Sequence, residues 1–170
     1  MMRTTRIVRA ALIAGIYVVL CLVLQPFSYG PIQVRVSEAL TLLPVFTPDA
    51  IWAVTLGCFL SNMFSMSPWD MLFGTLATFL AAICTYQLRR IRFKGLPVLS
   101  CLPPILFNAV IVGAEITYIF MPETASVPVL LFNMVTVGLG EVVSCGILGL
   151  LLVKTIERTP QLCGWIEATK

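Results

Sequence analysis

Long apolar runs dominate the chain, and short polar breaks separate them. Six runs have helical length: 7–27, 33–46, 48–64, 69–88, 96–120 and 127–156. Each break carries Pro or Gly, the residues that stop regular structure: "QPFSYGP", "FTPD", "SMSPWD", "RRIRFKGLP" and "MPETASVP". A helix that crosses a bilayer needs roughly 20 residues. The second and third runs fall short of that, so they tilt little or are partly shielded by protein. The pattern predicts an all-α membrane protein, a bundle of six transmembrane helices.

Composition fits this reading. Of 170 residues, 59% are hydrophobic and 11% charged, where soluble domains run near a quarter charged. The length allows one integral-membrane domain over 1–170, ending in a short tail at 157–170. Trp165 and Ile166 in that tail are placed to touch the membrane interface or a partner. The net charge of +3 is small, and no basic patch suggests nucleic acid.

The basic residues set the orientation. Arg3, Arg6 and Arg9 precede the first run. Arg89, Arg90, Arg92 and Lys94 separate the fourth and fifth, and Lys154 and Arg158 close the sixth. Six crossings put all three groups on one side, which the positive-inside rule makes cytoplasmic together with both termini. The start imitates a signal peptide, but no A-x-A cleavage site follows, so the first run reads as a retained helix. The expected location is the cell membrane, multi-pass.

Ionisable groups inside a membrane are costly and point to function. The runs hold Arg35, Glu38, Glu115 and Glu141, with Asn62, Asn108 and Asn133 as neutral company. Counting ~1.5 Å per residue puts Glu38, Glu115 and Asn133 about 7–8 Å below the outer ends of their helices. Asn108 and Glu141 lie deeper, roughly 18–20 Å from those ends. Asn108, Glu115 and Tyr118, spaced seven and three, share one α-helical face. Gly138 and Gly140 thin the last helix beside Glu141. A polar pocket opening outward accounts for the set. Asn62 reads as a cross-helix hydrogen bond, and Arg35 with Glu38 either as a pair or as ligand contacts. Glu115 and Glu141 have no basic residue on their own helices. Either they are protonated, or a ligand brings them donors.

Several chemistries are excluded. The chain has no histidine, HExxH or GxSxG, and the glutamates lack metal-ligand spacing, so neither an enzyme nor a metal or other cofactor is expected. Five of the six cysteines lie in apolar runs without CxxC spacing and read as small packing residues. No filter loop or internal repeat suggests a channel or a complete secondary transporter. A small-molecule capture protein that borrows energy from a partner remains. Ala10 with Ala14, and Ala11 with Gly15, form small-xxx-small pairs on the first helix that let another helix approach.

The chain resembles the substrate-binding S-components of energy-coupling factor transporters: six helices, this length, the AxxxA pair and an outward pocket. "YGPIQVRVSEALTLLPVFTP", "FNAVIVGAE" and "FNMVTVGLGE" look like the QueT branch, associated with queuosine precursors. The resemblance implies capture of a 7-deazaguanine at the extracellular side and coupling to a membrane subunit with two cytoplasmic ATPases. The S-component then topples to release its cargo inside. A carboxylate of Glu38, Glu115 or Glu141 would accept the lactam N–H and exocyclic amine together. A second would neutralise an aminomethyl cation. Asn108 or Asn133, or Arg35, would meet the lactam oxygen, and Phe107, Tyr118, Phe132 or Trp69 would stack on the ring. Alternatives are an S-component for another vitamin or nucleobase, or a structural or assembly subunit without a ligand.

Overall fold

The computed structural model describes residues 2–24, 34–64 and 67–167, with side chains from Thr4 onward. The chain is all-helical there. Seven α-helices are α1 (Met2–Val23), α2 (Asp49–Asn62), α3 (Pro68–Leu88), α4 (Leu102–Glu115), α5 (Val127–Glu141), α6 (Leu150–Arg158) and α7 (Pro160–Glu167). A 3₁₀ helix, Val36–Val45, lies between α1 and α2. The expected end of the first helix, at 24–27, and the start of the second, at 33–35, fall largely outside the described residues.

Polarity is turned inside out relative to a soluble bundle. On α1, Ile7, Val8, Leu12, Ile16 and Val19 are exposed, while Arg9, Ile13, Ala14 and Tyr17 are buried. A lipid solvent rewards that arrangement. Among the described residues, four continuous helical stretches are long and apolar enough to cross a membrane: Thr4–Val23, Pro68–Leu88, Val98–Phe120 and Val127–Arg158. They match four of the six expected spans. The 3₁₀ helix has 10 residues and α2 has 14, so neither reaches crossing length.

The expected short helix over 33–46 is a 3₁₀ helix with Pro44 inside it. Proline has no N–H to donate and clashes with an α-helical turn, which favours the tighter winding. From Ser37 to Val45 every residue is buried. The segment packs against α1, α2, α3 and 142–149, as a central rod within the bundle. Close crossings depend on glycine at two points. A Cβ at Gly57 would stand 2.7 Å from Tyr17 Cβ, where α2 meets α1, and one at Gly113 would stand 3.0 Å from Met134 Cα, where α4 meets α5.

The small pairs on α1 part company. Ala14 is buried and Ala10 packs partly against the core, whereas Ala11 and Gly15 are exposed. The tail is more than a tail: Pro160–Glu167 forms α7 and folds back. Ile166 is buried in the same core cluster as Ile13 and Tyr17. The buried Arg9 guanidinium donates to the carbonyls of Trp165 and Ile166 at 2.7 Å each. Carbonyls at a helix C-terminus lack intrahelical partners and carry partial negative charge, so a cation satisfies both needs. Trp165 keeps an exposed face.

Candidate functional site

Each of the three intramembrane glutamates stands where the helical winding departs from α. Glu38 is the third residue of the 3₁₀ helix. Glu115 is the last α-residue before a π-helical stretch, Ile116–Phe120. Glu141 is the last before another, Val142–Gly149. Such changes of winding frequently mark functional sites, because they re-aim side chains.

Glu38 is fully enclosed, with 1% exposure. Its Oε1 accepts the hydroxyl hydrogen of Tyr17, and its Oε2 is buried without a partner. Thr41 donates to the Glu38 carbonyl at 2.6 Å, and the Cys145 thiol reaches the same carbonyl at 3.1 Å. That thiol also lies 3.3 Å from Glu141 Oε2. Ligand atoms of Glu38, Glu141 and Cys145 lie within 4.8 Å of one another, a donor set that a soft divalent cation could use. With its hydrogen directed to a carbonyl and a carboxylate, the thiol acts here as a hydrogen-bond donor.

Glu38 therefore meets Glu141, the residue that counting had placed deeper. The physical reason is rise. Arg35 is extended, and a 3₁₀ helix climbs about 2.0 Å per residue, so the chain descends faster than an α-helix would carry it.

Arg35 does not pair with Glu38. Its Nη2 lies 3.5 Å from Asp70 Oδ1. Asp70 is buried in the first turn of α3. Asn62 donates to the Asp70 carbonyl at 3.1 Å, a cross-helix bond of the kind expected for it. The charge of Arg35 is felt by Glu38, Glu115 and Glu141 alike. Of the four buried carboxyl groups, Asp70 is the one at ion-pair distance from Arg35.

Glu115 is 3% exposed, and neither of its oxygens has a partner. Asn108 on the same helix is 3% exposed with its amide nitrogen unpartnered, and the Ser144 hydroxyl on the opposing segment is likewise buried and unpartnered. Buried polar atoms are nearly always bonded, so these exceptions have capacity for further contacts, as do Arg9, Thr75 and Ser100 elsewhere. Asn133 is partly spent: its amide donates to Thr117 Oγ1 at 2.9 Å, and Thr117 donates to the Gly113 carbonyl at 2.8 Å.

The aromatic candidates stand farther out. Tyr118 is 55% exposed, Trp69 49% and Phe132 67%, while Phe107 is half-buried beside Val112. Tyr118 leaves the face of Asn108 and Glu115 because the helix turns π after Glu115, and Thr117 takes the inward position. Trp69 stacks on Phe73 at 6.1 Å between centroids. Residues 65–66 of the "SMSPWD" break lie outside the described residues.

Sequence reasoning missed Tyr17, Asp70, Thr117 and the polar role of Cys145. Tyr17 was within reach, since Arg9, Ile13 and Tyr17 recur every fourth residue on one helical face. An apolar groove of about 370 Å³ between α2 and α3, lined by Trp52, Phe59, Leu72 and Phe79 among others, carries no charged residue and is separate from this centre.

A family model described as QueT transporter matches residues 7–158. A curated relative, the queuosine precursor transporter QueT of Lactococcus lactis subsp. cremoris (strain MG1363), is 44% identical over 78 residues. That match covers 45% of this chain and 46% of the relative, so it spans about half the length of each. No solved structure matches the chain. The match is to a transporter family and not to an enzyme family, as the absence of catalytic motifs had indicated.

Proposed function

Given that the chain belongs to the QueT transporter family, we propose that it is the substrate-binding S-component of an energy-coupling factor importer. It captures a 7-deazaguanine precursor of queuosine at the extracellular side. The observation that carries this is the buried centre itself: Glu38, Asp70, Glu115 and Glu141 around Arg35, with polar atoms of Glu38, Asn108, Glu115 and Ser144 unsatisfied. A membrane bundle gains nothing from burying such groups for stability alone. A flat base rich in N–H groups supplies donors to the carboxylates and an acceptor for the Asn108 amide.

Delivery follows by toppling within the bilayer, driven by a coupling subunit with two ATPases. The outward face of α1 at Ala11 and Gly15 is open to a neighbouring helix, and a Cβ at Gly15 would meet nothing within 4 Å. Ala14 is committed to the chain's own packing.

The test is thermal stabilisation of the purified protein by a panel containing the nitrile, aminomethyl and mature deazaguanines together with unrelated vitamins. A ligand at 100 times its Kd stabilises by about 2.7 kcal/mol. Stabilisation by at least one deazaguanine is expected. Stabilisation by a vitamin alone would point to another S-component, and by none to an assembly subunit.

A further inference from the structure

The centre has two chemically different ends. At one end Glu38 and Glu141 each already accept a neutral donor, from Tyr17 and Cys145. Further unsatisfied buried groups are an acceptor at Glu38 Oε2, a donor at Asn108 Nδ2 on α4 and the hydroxyl of Ser144, three residues beyond Glu141. That set suits a neutral edge carrying both N–H and C=O groups.

At the other end Glu115 accepts nothing through either oxygen. The charged groups that bear on it are Arg35 and Asp70. Asp70 already holds Arg35 in an ion pair, so the positive charge nearest Glu115 is spent. A carboxylate so enclosed is satisfied best by a full positive charge bearing several hydrogens. Glu115 and Asn108 are seven residues apart on one face of α4, about 10 Å along its axis. A bicyclic base with a one-carbon arm has that long dimension.

We propose that Glu115 is the cation seat of the site: it binds an ammonium group on the ligand's arm, while the Glu38, Glu141 and Asn108 end reads the base. This rests on the reading of the chain as a deazaguanine-binding S-component and assigns the selecting residue within it. Glu115 then decides between ligands of like shape and unlike charge, and the other two glutamates do not.

The experiment compares the aminomethyl and nitrile deazaguanines on the full-length protein and on Glu115→Gln, Glu38→Gln and Glu141→Gln. Dissociation constants are read by titration, and melting temperatures without ligand. In the wild type the aminomethyl base binds more tightly. In Glu115→Gln its affinity falls about tenfold to a hundredfold, the scale of one charge-assisted hydrogen bond. The nitrile base stays within about threefold, which also shows that the variant is folded. The ligand-free variant melts higher than the wild type, because an unpaired buried charge is gone; a merely structural glutamate would lower it. Should the glutamine variant fail to fold, Glu115→Asp must keep the preference for the cation.

Equal losses for both bases in Glu115→Gln would overturn the assignment. So would a preference that survives there and vanishes in Glu38→Gln or Glu141→Gln. A wild type that binds neither base overturns the deazaguanine reading on which this rests, and is recognised before any variant is made.

Discussion

The two ends of the bundle treat charge in opposite ways. At the end holding the start of α1, two carboxylates sit near the surface, each paired with an arginine, and the buried Arg9 is held by carbonyls of α7. Arg6 holds Asp49, with Nε 2.8 Å from Oδ2, and Arg92 holds Glu157. Toward the other end, carboxyl groups are buried: Glu38, Asp70, Glu115 and Glu141, of which Asp70 is paired with Arg35. Wet pairs are replaceable ornaments of a surface, whereas dry and unfilled groups cost stability and persist for a reason. The contrast separates residues that keep the chain folded and oriented from residues that give it a ligand.

Three substitutions test that contrast, in descending order of effect. Arg35→Met removes the cation shared by the buried carboxyl groups. It should lower stability by about 3 kcal/mol, toward the low end for a broken buried pair because the arginine side chain keeps 19% exposure. Thermal unfolding in detergent reads this, and an unchanged melting temperature would show that the carboxyl groups do not depend on it. Tyr17→Phe leaves Glu38 without its hydroxyl donor and should cost about 1.5–3 kcal/mol. Its distinguishing mark is that deazaguanine affinity falls as well, since Glu38 loses its orientation. Asp49→Asn breaks the Arg6 pair at the opposite end and should cost under about 1 kcal/mol, with ligand affinity untouched. A loss at Asp49 as large as at Arg35 would erase the distinction between the two ends.

Much of this was readable from the residues. The long helices were, because lipid enforces continuous apolar runs: 69–88 and 127–156 in the sequence became Pro68–Leu88 and Val127–Arg158. The polar residues of the centre were equally visible, since a glutamate in such a run stands out. Their partners were not. Periodicity arguments assume one pitch, and Glu38, Glu115 and Glu141 sit where the pitch changes. That is why Tyr118 left the predicted face, and why Glu38 met Glu141. Asp70 was passed over because it stands at the start of the 69–88 run, beside Pro-Trp punctuation. In the fold, Ser67 caps α3 and Asp70 turns inward. Cys145 was read from its size alone, and only tertiary structure reveals what its hydrogen meets.

Arg9 and α7 bring a consequence for how the protein is made. Residues 9 and 166 lie 157 positions apart in the chain. Ribosomes add about 5–20 residues per second. The first helix therefore waits roughly 8–30 s for the carbonyls that will satisfy its buried arginine. Throughout that interval Arg9 must borrow water or lipid headgroups at the membrane surface. The bundle is latched by a helix made long after α1, so a segment that enters the bilayer early is late to reach its final company.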